Sequence, residues 1–175
     1  MRFTINVLIL SVACGLFLSA ELCSAEETEA KKPKPFVLNP IGVVKAGEKG
    51  PVSLVINKDI APALKGLDGY SHVLVFYWFD RNDNAKKRAV LQVYPRGDKK
   101  NPVTGVFACR CPMRPNLIAM SLCKIVSINE NTVVVDGIDA YDKTPILDLK
   151  PYLPGYDSVE GATVPDWVKR MRSKK

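Results

Sequence analysis

The sequence lacks several features that mark common classes of protein. His72 is the single histidine among 175 residues, so a metal or catalytic site built on several histidines is excluded. No glycine-rich turn joins a strand to a helix, which argues against a Rossmann nucleotide site. No internal repeat is visible. The apolar run at 7–18 is too short to span a membrane comfortably.

The first 25 residues nevertheless have the layout of a secretory signal peptide. Arg2 supplies a positive charge, the apolar run follows, and small residues precede a cleavage site after Ala25. Twin arginines are absent, which favours a Sec-type over a Tat-type route. We therefore predict an exported protein, periplasmic or secreted. The alternative is a cytoplasmic protein from an internal non-ATG start at Val37 or Leu38.

Composition divides the chain into four parts. A signal peptide at 1–25 precedes a charged, proline-broken leader at 26–39, a folded domain at 40–157 and a basic tail at 158–175. The formal net charge of +7 favours anionic partners, including nucleic acid. Taken alone, the basic run "NAKKR" is more typical of a solvated turn, and "VKRMRSKK" of a solvated tail, than of a binding surface.

Short strand patterns separated by turn signals fill the domain. "SHVLVFYWF" is a continuous apolar run, which predicts a strand buried on both faces, whereas "AVLQVYP" alternates. "GVFACR" and "LIAMSLCKIVSI" predict further strands, and "NEN" predicts a hairpin turn into "TVVVDGIDA". "IAPALKGLDGY" predicts a short helix. We predict a mostly β fold: one small antiparallel β-barrel with one or two short helices.

The stretch "GVFACRCPMRPNLIAMSLCKI" at 105–125 suggests a metal knuckle, a redox pair or the wall of a binding site. Cys109, Cys111 and Cys123 with His72 give three cysteines and one histidine, a known zinc ligand set by count. The C-x-C spacing is atypical of a zinc knuckle, and in a strand it places both thiols on one face. We predict no metal and interpret the stretch as a binding-site wall. In an oxidising compartment, three cysteines leave one thiol unpaired.

Four segments, in their order and spacing, resemble the TrmO family, also called TsaA-like or YaeB-like proteins. They are "PIGVV", "LKGLDGYSHVLVFYWF", "GVFACRCPMRPNLIAMSL" and "DGIDAYDKTPILDLKPYLP". The resemblance implies a single β-barrel domain, usually dimeric. It also implies S-adenosylmethionine-dependent N6-methylation of threonylcarbamoyladenosine at position 37 of tRNA. S-adenosyl-L-methionine is therefore the expected cofactor, tRNA the expected partner, and a homodimer the expected assembly.

The resemblance extends to individual positions. Where the family has threonine and serine, this chain has Cys109 and Cys111, and Lys143 replaces a glycine. Asp80 stands where the family has a histidine. Leu117 and Ala119 replace a proline and a glycine. The cofactor-binding positions implied are Asp80, Arg81, Arg110, Leu122, Ile138, Asp139, Ala140 and Tyr141, and the substrate-binding positions are Arg114, Asn116 and Lys150.

These residue types suit the chemical groups of S-adenosylmethionine. Asp139 or Asp80 can bind its ammonium or ribose hydroxyls, and Arg110 its carboxylate. Leu122 and Ile138 can form apolar walls for the adenine. Methyl transfer is an in-line displacement whose rate depends mainly on holding donor and acceptor aligned, so we assign no catalytic residue.

Other interpretations remain open. Arg110 and Arg114 also fit surface ion pairs, Asp148 and Lys150 fit a structural salt bridge, and His72 fits a structural role at the start of a buried strand. At the level of function, one alternative is an exported, non-catalytic or repurposed barrel that binds a small ligand or nucleotide. Another is a basic accessory protein whose tail binds nucleic acid or an anionic surface.

Overall fold

A computed structural model describes residues 37–47 and 50–172. The predicted signal peptide at 1–25 and the first part of the leader, 26–36, lie outside the described residues. None of the helices in the described part of the chain has the length and apolar character needed to cross a membrane.

Six strands close into an antiparallel barrel, which confirms the predicted fold. They are β1 (Gly42–Lys45), β2 (Val52–Ile56), β3 (His72–Trp78), β6 (Ile118–Asn129), β7 (Thr132–Asp136) and β8 (Pro145–Pro151), and their order around the barrel is β1-β2-β7-β6-β3-β8. Two short strands, β4 (Gln92–Val93) and β5 (Thr104–Gly105), form a separate sheet. Closure leaves neither edge of the main sheet unpaired.

The helices are short. The described part of the chain has three: α1 (Ala85–Arg88), α2 (Pro154–Asp157) and α3 (Asp166–Arg172). The sequence predicted one or two. The segment expected to form a helix before β3 forms two 3-10 turns, Ala61–Leu64 and Leu67–Gly69. Gly66 separates these turns with a φ of 84°, a left-handed conformation that glycine adopts without strain.

Side chains of β3 alternate between the barrel interior and its outer face. Val73, Val75 and Tyr77 are at most 4% exposed, whereas the residues between them are half-buried. The prediction of two fully buried faces was therefore wrong, because a barrel strand points successive side chains in opposite directions and only one direction reaches the core.

The predicted hairpin after β6 is confirmed. Asn129 ends β6, Thr132 begins β7, and Glu130 between them has a φ of 50°. β7 ends at Asp136, earlier than "TVVVDGIDA" predicted, because the chain turns at Gly137 (φ 90°). Residues 138–141 therefore form a loop at the end of the barrel, which we call the 138–141 loop.

The strand predicted over "GVFACR" was also wrong. Only Thr104 and Gly105 are in a strand, and Val106–Ala108 form a 3-10 turn. The Val106 side chain is buried and its N–H donates to Leu91 O at 3.0 Å, so a long-range contact turns the chain inward. Residues 109–117 then run as an irregular segment to β6, and we call this segment the arginine loop.

Candidate functional site

A cleft of about 750 Å³ opens at one end of the barrel, where β3 ends and β6 and β8 begin. We call it the barrel-end cleft. Its walls come from the first part of β6, the turn Asp80–Asn82 after β3, the 138–141 loop and the arginine loop. The volume lies within the range of about 300–1,000 Å³ typical of small-molecule sites.

The floor of the cleft is held by Tyr77. Its hydroxyl donates to Asp139 O at 3.1 Å and lies 3.2 Å from Ser121 Oγ. Burial raises the pKa of Tyr77, the contact with Ser121 lowers it, and the nearby Asp139 carboxylate raises it; the net direction is upward. The phenol therefore keeps its proton at neutral pH and remains a donor to the 138–141 loop.

Asp80 brings a carboxylate to the cleft. It begins the turn after β3, and Thr144 Oγ1 donates to Asp80 Oδ1 at a long 3.4 Å. Thr144 is only 3% exposed, whereas Asp80 is exposed and free to contact a ligand. This interaction links the start of β8 to the end of β3.

Arg81 and Tyr141 form one side of the cleft. The Arg81 guanidinium carbon lies 3.7 Å from the centre of the Tyr141 ring, a cation–π arrangement. Lys87 Nζ donates to Arg81 O at 3.1 Å. These contacts join α1, the turn after β3 and the 138–141 loop.

Arg110 and Arg114 belong to the arginine loop. Both line the cleft, and within the described residues neither forms a salt bridge with a carboxylate. The arginine loop is held in place by Arg88 of α1, whose guanidinium donates to Pro115 O at 3.0 Å and pairs with Asp83 at 2.7 Å. The ion-pair interpretation of Arg110 and Arg114 thus finds no support in the described residues.

The structure brings together six of the eight predicted cofactor residues and leaves two apart. Asp80, Arg81, Arg110, Asp139, Ala140 and Tyr141 line the cleft. Leu122 lies outside it and is 44% exposed, while Ile138 packs against the barrel core. Their roles as adenine walls stay predictions.

One of the three predicted substrate residues lines the cleft, and the other two lie outside it. Arg114 lines the cleft, whereas Asn116 is an exposed residue of the arginine loop outside it. Lys150 Nζ pairs with Asp148 Oδ2 at 2.7 Å, which favours the structural salt bridge. These side chains are largely exposed, so the pair contributes little stability.

Tyr77, Ser121 and Thr144 belong to the site, although the sequence did not single them out as ligand-binding residues. The aromatic run "FYWF" predicts core packing, and Tyr77 does pack in the core with its ring. Its hydroxyl is the part that reaches the cleft. A polar atom at the end of a core aromatic is the signal that could have identified it.

The three described cysteines occupy two environments. Cys109 and Cys111 are half-buried thiols of the arginine loop, and Cys123 is a buried thiol of the core. The strand expected to carry the C-x-C pair is absent from this part of the described chain. No group of three or more histidine, cysteine or acidic residues with metal-site geometry occurs within residues 37–47 and 50–172.

The fold and the cleft define a class: a small closed antiparallel β-barrel with a charged ligand cleft at one end. Residues 40–158 match the sequence model of the tRNA-methyltransferase O N-terminal domain. The chain belongs to this family, as the resemblance predicted.

Individual relatives agree with this assignment. The chain is 45% identical to a probable S-adenosyl-L-methionine-binding protein of Methanocaldococcus jannaschii over 66% of this chain and 90% of that protein. It is 35% identical to a mouse tRNA (adenine(37)-N6)-methyltransferase, over 64% of this chain and 25% of the mouse protein. The crystal structure of TrmO from Pseudomonas aeruginosa superposes with a TM-score of 0.60 at 26% identity, covering 76% of this chain and 62% of that one.

Proposed function

We propose that the barrel-end cleft binds S-adenosyl-L-methionine and that the protein is a tRNA methyltransferase acting on N6 of adenosine 37. The observation that carries the proposal is the convergence of six predicted cofactor residues on one cleft of suitable volume. The names of the relatives support both the cofactor and the reaction.

The residues of the cleft fit the groups of the cofactor. Asp80 and Asp139 supply carboxylates for an ammonium or for ribose hydroxyls, and Arg110 supplies a fork of donors for a carboxylate. Tyr141, 63% exposed, offers an aromatic face. When bound, S-adenosylmethionine supplies an electrophilic methyl group. The role of this chain is then to hold donor and acceptor aligned and to exclude competing water.

The charge of the cleft supports an anionic partner such as tRNA. Four cations line it, Arg81, Lys87, Arg110 and Arg114, against the two carboxylates of Asp80 and Asp139. Such an excess attracts phosphate groups and makes binding depend strongly on salt. Arg114, which has no salt bridge within the described residues, is the proposed contact to tRNA at the cleft.

Two further features belong to this proposal. The first is a homodimer, as the family resemblance implies. The second is export directed by residues 1–25, which would place the barrel away from cytosolic tRNA. A second candidate function therefore accompanies the first: an exported barrel that binds a small ligand or nucleotide without catalysis. The observation favouring it is Asp80, which replaces the family histidine with an anion.

The cofactor proposal is tested by calorimetric titration with S-adenosylmethionine. Arg110→Ala should weaken binding about tenfold to a hundredfold, because a charge-assisted hydrogen bond contributes about 1.5–3 kcal/mol. Arg96→Ala is the matched control, since Arg96 is exposed and lies outside the cleft. Absence of heat for the wild type at millimolar cofactor would refute the proposed function.

A methyl-transfer assay separates the two candidate functions. The methyltransferase should modify tRNA that carries threonylcarbamoyladenosine and leave tRNA without it unmodified. Asp80→His, which restores the family residue, should increase the rate. Cofactor binding without transfer by either protein would instead favour the ligand-binding barrel.

A further inference from the structure

Cys109 and Cys111 flank Arg110 in the chain, and Arg110 lines the barrel-end cleft. Both thiols are free and half-buried. Burial, followed by the hydrogen-bonding and charge effects of the Cys109 thiol, raises the pKa of Cys111 to about 11, although the charge of Arg114 acts in the opposite direction. Each thiol also has a backbone partner: Cys109 Sγ donates to Val106 O at 3.7 Å, and Cys111 Sγ donates to Met113 O at 3.3 Å. Arg114 is close enough to Cys111 for its charge to act on that thiol. The two thiols therefore lie next to both arginines of the arginine loop: Arg110 is between them in the chain, and Arg114 acts on Cys111.

The backbone allows these thiols to form a bond with each other. Cys109 has extended angles, φ −142° and ψ 169°. Residues two apart in a chain of trans peptides have Cα atoms at most about 7 Å apart. A disulfide accepts Cα separations of about 4.4–6.8 Å and prefers the middle of that range. Closure therefore needs a small contraction, and no strand pairing holds residues 109–111 in the described structure.

We propose that Cys109 and Cys111 form a reversible dithiol–disulfide pair that reacts with low-molecular-weight disulfides, and that oxidation weakens cofactor binding in the cleft. The first part stands on geometry: the thiols are two residues apart, both are free and half-buried, and no strand pairing holds residues 109–111 in the described structure. The second part rests on the proposed function, because it assumes that the cleft binds S-adenosylmethionine.

The reaction is two successive thiol–disulfide exchanges. The Cys109 thiolate attacks one sulfur of the small disulfide, whose S–S bond breaks and releases one thiolate, which takes up a proton. Cys111 then loses its proton and attacks the Cys109 sulfur of the mixed disulfide, releasing the second small thiol. Two protein thiols are oxidised to one disulfide, and one small disulfide is reduced to two thiols. Cys111 attacks second because burial keeps it protonated.

The position of Arg110 connects this bond to the cleft. Arg110 is the residue enclosed by the new ring, so contraction of the 109–111 backbone must reorient its side chain. A guanidinium binds a carboxylate well only when its donors are aligned with the oxygens. Cys123, fully buried in the core, is out of reach of small disulfides and is the unpaired thiol.

The first measurement is the intact mass of the full chain, equilibrated in buffers with increasing ratios of oxidised to reduced glutathione. Every sample carries Cys14→Ser and Cys23→Ser, so that Cys109, Cys111 and Cys123 are the cysteines that can react, and wild type here means unchanged at these three positions. The wild type should lose the mass of two hydrogens, and peptide mapping should place the bond between Cys109 and Cys111. Cys109→Ser and Cys111→Ser should instead accumulate one glutathione each. Cys123→Ser should form the disulfide as the wild type does. Wild-type protein that carries only glutathione adducts, or a bond that includes Cys123, would overturn the pair.

The second measurement is titration of reduced and oxidised wild type with S-adenosylmethionine. We expect oxidation to weaken binding about tenfold or more, the loss of one charge-assisted hydrogen bond. The double variant Cys109→Ser, Cys111→Ser should bind equally with or without oxidised glutathione. Equal affinity of the reduced and oxidised wild type would overturn the claim that oxidation weakens cofactor binding, but not the claim that the disulfide forms. If the reduced form does not bind the cofactor, both the effect of oxidation on binding and the proposed function are refuted. The mass measurement would then still test whether the disulfide forms.

Discussion

At the scale of single residues, Lys143 shows how a substitution can be accommodated in a site. It stands where the family has glycine, and its φ is 67°. Its N–H donates to Val44 O at 2.7 Å, and the next residue, Thr144, donates from its N–H to Tyr141 O at 3.2 Å. The left-handed turn thus orients Thr144 and Tyr141 at the cleft, and a lysine adopts it at a cost in free energy.

Replacing Lys143 by glycine should stabilise the protein. The left-handed conformation costs an L-residue about 1–2 kcal/mol, and glycine's greater freedom in the unfolded chain offsets part of that gain. We expect the free energy of unfolding to rise by about 0.5–1 kcal/mol in chemical denaturation. Lys65→Gly is the control, because Lys65 is exposed with an ordinary φ of −55° and should lose stability. Equal effects at both positions would contradict the argument from strain.

At the scale of elements, the 138–141 loop depends on the barrel strands beneath it. Tyr77 of β3 donates to Asp139 O, and its oxygen lies against Ser121 of β6. Tyr77 is 4% exposed, so water cannot readily replace either contact. One phenol thus joins two strands to the loop that carries four of the predicted cofactor residues, three of which line the cleft.

Tyr77→Phe should therefore loosen the loop while leaving the barrel folded. We expect a loss of about 1 kcal/mol in stability, the usual contribution of one hydrogen bond. Hydrogen exchange should become faster in residues 138–141, and cofactor affinity should fall. Tyr70→Phe removes a hydroxyl from an exposed tyrosine outside the cleft and should change none of these. Unchanged exchange in the loop of Tyr77→Phe would show that the hydroxyl does not position it.

At the scale of the whole molecule, burial of Cys123 couples folding to alkaline pH. Burial, with a smaller effect of the Asp136 carboxylate, raises the pKa of this thiol from 9.0 to about 11. Between these values the unfolded chain releases the proton and the folded protein retains it. Stability from this group is therefore complete below about pH 9 and is lost as the pH rises toward 11.

Cys123→Ala should make the free energy of unfolding less dependent on pH above 9. The variant should be less stable at neutral pH, because a small cavity remains in the core. Chemical denaturation under reducing conditions at several pH values gives the slope of the unfolding free energy against pH for the wild type and for the variant. Other groups that titrate in this pH range contribute equally to the two slopes. Parallel slopes for wild type and variant would mean that Cys123 does not carry the coupling.

Local sequence patterns determined the barrel strands and the family. β3, β6 and β7 were predictable because their apolar and β-branched runs end at turn residues that act over a few positions. The motifs around "RPN" and "TPILDLKPY" predicted the family that the comparison with residues 40–158 shows.

Only the tertiary structure decided how the loops run and which side chains meet. The turn at Val106 depends on burial against a distant part of the chain, and the bond from Tyr77 to Asp139 joins residues 62 apart. Leu122 lies outside the cleft because its neighbour Cys123 points into the core, so Leu122 points to the outer face of β6. Ile138 lies outside it because its side chain packs against the core. The sequence by itself thus determined the barrel strands and the types of side chain that a site could use. Barrel closure selected which of these residues share the cleft, because closure brings distant segments of the chain together.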